Sequence, residues 1–128
     1  MQFYHTRVTD YSFDDAVAAV TEALKTEGFG VLTNIDMTAK LKEKLGVTIP
    51  RYIILGACNP PLAHKALTIE NKIGVMLPCN VIVRETPEGR VEVSSIDPLA
   101  SMAAAGTPSL IGVAEEVSTK LKKVIESL

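Results

Sequence analysis

The chain has no tryptophan, only two cysteines, and an aromatic content of 5% over 128 residues. Each shortage excludes something. With three phenylalanines and three tyrosines as its only aromatics, it offers no platform on which successive bases could stack. Thirteen basic and fifteen acidic side chains leave a formal charge of −2. That balance gives no electrostatic footprint for nucleic acid, so none is expected as a partner. Cys58 and Cys79 are too few for a disulfide scaffold. No membrane span is expected either: the longest uncharged segment, residues 98–114, is interrupted by Pro98, Gly106, Pro108 and Gly112. A spanning helix needs about 20 mainly apolar residues. The opening MQFYHTRVTDYS lacks the basic-then-apolar order of an export signal. Together with the sparse cysteines, this points to the reducing cytoplasm.

Familiar catalytic signatures are missing as well. Gly28 and Gly30 flank Phe29 without the remaining spacing of a phosphate-binding loop. GxSxG, HExxH, CxxC and HxxxH do not occur. What remains is a chain 47% hydrophobic and 22% charged. That composition can build one domain, residues 1–128, with its own core.

The order of elements reads from period and punctuation. Phe3 to Thr9 alternates as a strand. Ser12 and Asp15 then signal a helix start, and Phe13, Ala16, Val17, Val20 and Leu24 recur at helical spacing before Gly28. A strand from Phe29 to Ile35 follows, so strand, helix and strand are expected to form a compact unit. Asp36 can cap a short helix, Met37 to Leu45, whose lysines make a solvated face. Tyr52 to Ala57 is the most continuously apolar run of strand length, which predicts a central strand buried on both faces. Asn59 before Pro60 and Pro61 caps a helix reaching about Asn71. Asn80 to Glu85 and Arg90 to Ile96 are the arms of a hairpin around Thr86-Pro87-Glu88-Gly89. The last helix is predicted to start with Thr107 as cap and Pro108 in its first turn. The fold expected is α+β: a two-layer sandwich with about five strands in a mixed or mostly antiparallel sheet and helices mainly on one face.

Few side chains offer chemistry. Cys58 closes the apolar strand just before a helix, where partial positive charge favours a thiolate. His64 follows six residues later, and a thiol near an imidazole is raw material for a nucleophile or a soft-metal site. Unpaired cysteines are, however, more often buried and inert. Cys79 follows Leu77-Pro78 and is expected at the edge of a strand. If the strands ending in Cys58 and starting at Cys79 were parallel, a helix of about 16 Å would separate the thiols, beyond the roughly 7 Å limit of a disulfide. If residues 73–77 carried the chain back, the thiols would share one sheet end. Gly74 and Pro78 favour a loop there, which disfavours direct pairing. Met76 and Met102 could join both cysteines and His64 around copper(I). Without ligand-spaced motifs they read as core filler, and no metal is expected. His5 reads as a surface or locally bonded residue, and Asp97-Pro98 as a strand end with a possible pocket role for Asp97.

Several of these pieces together resemble the family called domain of unknown function 302. They are the apolar strand ending in Cys58, Asn59-Pro60, Ala63 through Leu67, Leu77-Pro78-Cys79 with Val81 and Val83, and Asp97-Pro98 with Met102. Leu-Pro-Cys before a hairpin is the most specific part, and the similarity covers nearly the whole chain. The resemblance implies a small α+β domain, a homodimer, and no assigned activity; it ranks Cys79 above His64. The small-residue stretch Ala100 to Gly106 could lie against the partner copy. The functional expectation is a non-enzymatic binding or regulatory module holding a small-molecule ligand or cofactor of unknown identity near Cys79, with Cys58, His64 and Asp97 as further site residues. The alternatives are a thiol-dependent enzyme or redox sensor using Cys58, and a structural oligomer with inert cysteines.

Overall fold

The computed structural model describes residues 2–128. Strands β1 (Tyr4–Thr9), β2 (Gly30–Asp36), β3 (Tyr52–Cys58), β4 (Cys79–Glu85) and β5 (Val91–Ile96) form one sheet. Their order is β1-β5-β4-β3-β2, and every neighbouring pair is antiparallel. The helices are α1 (Phe13–Thr26), α2 (Met37–Leu45), α3 (Pro60–Ile69), α4 (Pro98–Ala103) and α5 (Leu110–Glu126), with a 3₁₀ turn at Ile73–Met76. The α+β sandwich expected from the sequence is therefore present, and its sheet is wholly antiparallel.

The core lies between one sheet face and the helices α1 and α5. Leu55, Val81, Val83 and Val93 point into it from the strands, alternating with residues on the open face. Ala16, Val20 and Leu24 meet them from α1, and Leu110, Val117, Leu121 and Val124 from α5. On the opposite face Thr6, Ile82, Arg84, Glu92 and Ser94 border an open groove. Among the described residues, no helix is long and apolar enough to cross a membrane.

Local signals place most boundaries. The Ser12 hydroxyl accepts the Asp15 amide at 3.2 Å, and Asp36 accepts Ala39 at 2.9 Å. Three expectations need correction. The first strand–helix–strand segment is not a compact unit, because β1 and β2 occupy opposite edges of the sheet. The 14 residues of α1 span about 21 Å, enough to cross the roughly 19 Å width of five strands. The apolar run Tyr52 to Ala57 is not the central strand; β4 is. Tyr52 and Ile54 stay half-buried because their side chains alternate onto the face opposite the core, across from Arg84 and Ile82, while Ile53, opposite Val83, packs partly buried against the core. Finally, α5 begins at Leu110 without a side-chain cap. The Thr107 and Pro108 carbonyls instead accept the amides of Leu110 and Ile111 in a lead-in turn, at 3.0 and 3.1 Å.

Candidate functional site

Antiparallel pairing decides where the thiols go. Cys79 at the start of β4 lies opposite Ala57 on β3, so Cys58 is one residue along the neighbouring strand. The separation of the cysteines to opposite sheet ends is thus overturned: residues 59–78 leave the sheet and return to the same end. Both cysteines are free thiols.

A cavity of about 310 Å³ opens at this end. Ala57 and both cysteines border it from the sheet, Leu62 and Ala66 from α3, and Met102 from α4. Val113 and Val117 border it from α5. The pairs 62/66 and 113/117 are each one helical turn apart and so share a face. Small side chains at Ala57, Ala63 and Ala66 leave the space open.

Two contacts hold the rim. Asn59 is buried; its Oδ1 accepts the Leu62 amide at 3.4 Å, while its Nδ2 donates to the Glu27 carbonyl at 3.2 Å. It thereby ties the start of α3 to the end of α1, and its polar atoms are engaged. At Gly56 a Cβ would run into the Thr33 side chain and sit 2.8 Å from Cγ of Pro78. Glycine lets the Pro78 ring, which borders the cavity after a cis peptide bond, lie close against β3.

The two sulfurs differ in environment. Cys79 was expected at a strand edge but begins the central strand, where it is 8% exposed. Burial pushes its thiol from 9.0 up to about 11, and the neighbouring Cys58 adds a smaller push in the same direction. At neutral pH Cys79 is a neutral thiol and a poor nucleophile. Cys58 is half-buried at the end of β3, directly before the helix cap Asn59.

The other sequence candidates stand apart from the cavity wall. His64 is exposed, because it lies two residues from both Leu62 and Ala66 and so on the other side of α3. Asp97 caps α4, accepting the Leu99 amide at 3.1 Å, and its Oδ2 lies 3.9 Å from Nε2 of His5. The Ser118 hydroxyl is 3.4 Å from that same nitrogen. Sequence reasoning missed this Ser–His–Asp grouping, whose members are 113 and 21 positions apart along the chain at Ser118–His5 and Ser118–Asp97. Serine and acid both approach Nε2, whereas a nucleophilic relay needs the acid on Nδ1. Ser95, opposite His5 in the ladder, is 1% exposed and its hydroxyl has no partner among the described residues. Of the candidates Met76 and Met102, Met102 borders the cavity and Met76 does not. Among the described residues, no three His, Cys, Asp or Glu side chains converge as metal ligands.

Comparison with known proteins agrees with this architecture. No curated protein matches the chain. The crystal structure of an uncharacterized conserved DUF302 protein from Bacillus stearothermophilus superposes with a TM-score of 0.92 at 28% sequence identity, covering 98% of each chain. Residues 4–128 match the family described as Domain of unknown function DUF302. The chain therefore belongs to the DUF302 family.

Proposed function

We propose that this chain is a non-enzymatic binding module that holds a small apolar ligand in the cavity beside Cys79, with Cys58 at the same wall. The observation that carries the reading is the chemistry of that wall. Apart from two thiols and an already engaged Asn59, its side chains are hydrocarbon or thioether. A charged ligand would give up its hydration there and find no partner. An apolar ligand gains about 25 cal/mol for each Å² it removes from water. At about 310 Å³ the cavity sits at the small end of ligand pockets. His64 and Asp97 are outside the proposed contacts.

Titration with an apolar fluorescent dye tests the proposal. Wild-type protein is expected to bind saturably, and Ala63→Phe, which projects a ring into the cavity, to weaken binding at least about tenfold. Equal binding by both proteins, or none by wild type, would overturn it. A homodimer belongs to the same proposal: Ala103, Ala104 and Gly106 are exposed and free to meet a second copy. Sedimentation that finds only monomer at micromolar concentration removes that part.

A further inference from the structure

We infer that the sheet face opposite the core receives a second copy of this chain, packed sheet against sheet about a two-fold axis. The inference rests on the proposed homodimer and gives it a contact separate from the small residues Ala103, Ala104 and Gly106. The register defines the face row by row. Thr6, Ser94, Ile82, Ile54 and Ile35 are successive cross-strand partners, so one row crosses all five strands from β1 to β2. A solvated sheet face normally sets polar residues in alternation with the apolar ones of the core. Here three neighbouring strands carry isoleucine in that row, half-buried at Ile82 and Ile54 and 42% exposed at Ile35. Tyr52 and Ile96 extend the apolar surface on either side, and the face borders a groove of about 500 Å³. An apolar surface of this kind marks an interaction site.

Charge, polarity and size select the occupant. Among the described residues the ladders place two charged side chains on this face, Arg84 and Glu92, and they join at 2.8 Å. The face is therefore neutral and exerts no pull on a polyanion or an anionic membrane. The Thr6 and Ser94 hydroxyls engage each other at 2.7 Å, so covering them strands no hydroxyl. Ile82 lies in the middle row of the central strand. A two-fold through the centre of the face sets it against its own copy, apolar on apolar, as an isologous contact requires. Five strands at about 4.8 Å occupy about 24 Å, or about 19 Å between the outer axes, and six residues run about 20 Å. Each copy offers about 480 Å² measured flat, and more once side-chain relief is counted. Two copies reach the roughly 1,000 Å² that marks a biological interface. Sheets packed face to face lie about 10 Å apart with their side chains interdigitated.

Sedimentation of the full chain across micromolar concentrations tests the contact. Wild type is expected to be dimeric, and Ile82→Glu to weaken dimerisation at least about 100-fold, because the two-fold brings two carboxylates together. Thermal melts show whether each variant is folded. Ile35→Glu, at an already exposed end of the same row, is expected to weaken the dimer about tenfold and carries the test if Ile82→Glu unfolds. Wild type that stays monomeric overturns both this inference and the homodimer. A wild-type dimer unmoved by folded variants of this face overturns the inference alone, and Ala104→Glu then tests the small-residue stretch. A monomeric wild type whose apolar-dye binding is lost in Ile82→Glu gives the face a small ligand in place of a second copy, which also overturns it.

Discussion

Val117 and Ser118 are neighbours on α5, and both are buried, yet they look into different interiors. Val117 borders the cavity with its sulfur and hydrocarbon wall. Ser118 meets His5, with Asp97 close by. On the His5 side, polar side chains stand within reach of one another, and their positions are set by directional contacts. On the Cys79 side nothing directional fills the space, and small alanines keep the walls apart. The lesson is that one helix divides the layer beneath it into a region that specifies its own contents and a region that leaves room for something else. The first resembles a catalytic grouping in residue type and fails on geometry. The second lacks any catalytic grouping and keeps the space.

Four substitutions or titrations sharpen that contrast. The largest effect is expected from Val117→Asp, which places a carboxylate among groups that cannot partner it. Chemical denaturation should show a loss of at least about 4 kcal/mol. A loss below about 1 kcal/mol would mean that this region is wetter than its wall implies. Next comes pH. The folded chain holds the Cys79 proton until about 11, whereas the unfolded chain releases it near 9.0. The native state therefore binds more protons between these values, so this contribution is present below 9.0 and lost as pH rises through 11. Compared with Cys79→Ala under reducing conditions, wild type should lose up to about 3 kcal/mol across that window. Parallel curves would contradict the buried thiol.

Gly56→Ala is expected to cost about 1–3 kcal/mol, because the added methyl must displace the Pro78 ring or Thr33. Its dye affinity should fall too, since Pro78 borders the cavity. The smallest effect belongs to the polar region. Ser118→Ala removes one hydroxyl contact to His5 and should cost about 1 kcal/mol with dye binding unchanged. A change in dye affinity there would merge the two regions into one.

Much of the fold was legible because local signals and tertiary demands agree. Ser12, Asp36 and Asn59 cap the helices that their positions predict, and the Val81–Val83 and Val91–Val93 alternation marks the hairpin. Strand order was not legible. A continuous run such as Tyr52 to Ala57 reports that a strand is apolar, not which neighbours it has. That the two cysteines share one sheet end depended on whether β3 and β4 run antiparallel, and nothing in residues 59–78 encodes that direction locally. Cys58 and Cys79 were singled out because reactive side chains are rare here. The walls of the cavity read as ordinary core, since Leu62, Ala66, Val113 and Val117 carry the helical period that any buried face would show. Empty space has no residue type of its own. The grouping of His5, Asp97 and Ser118 escaped for a related reason: only the fold brings strand β1, the α4 cap and α5 together.

The central claim is that the space beside Cys79 is real, apolar and open to occupation. Diffraction from crystals pressurised with xenon tests it most directly, because xenon enters dry hydrocarbon cavities and scatters strongly. The account predicts xenon density bordered by Cys79, Phe29, Ala66 and Val117. An unoccupied site, with those side chains closed together, would contradict it.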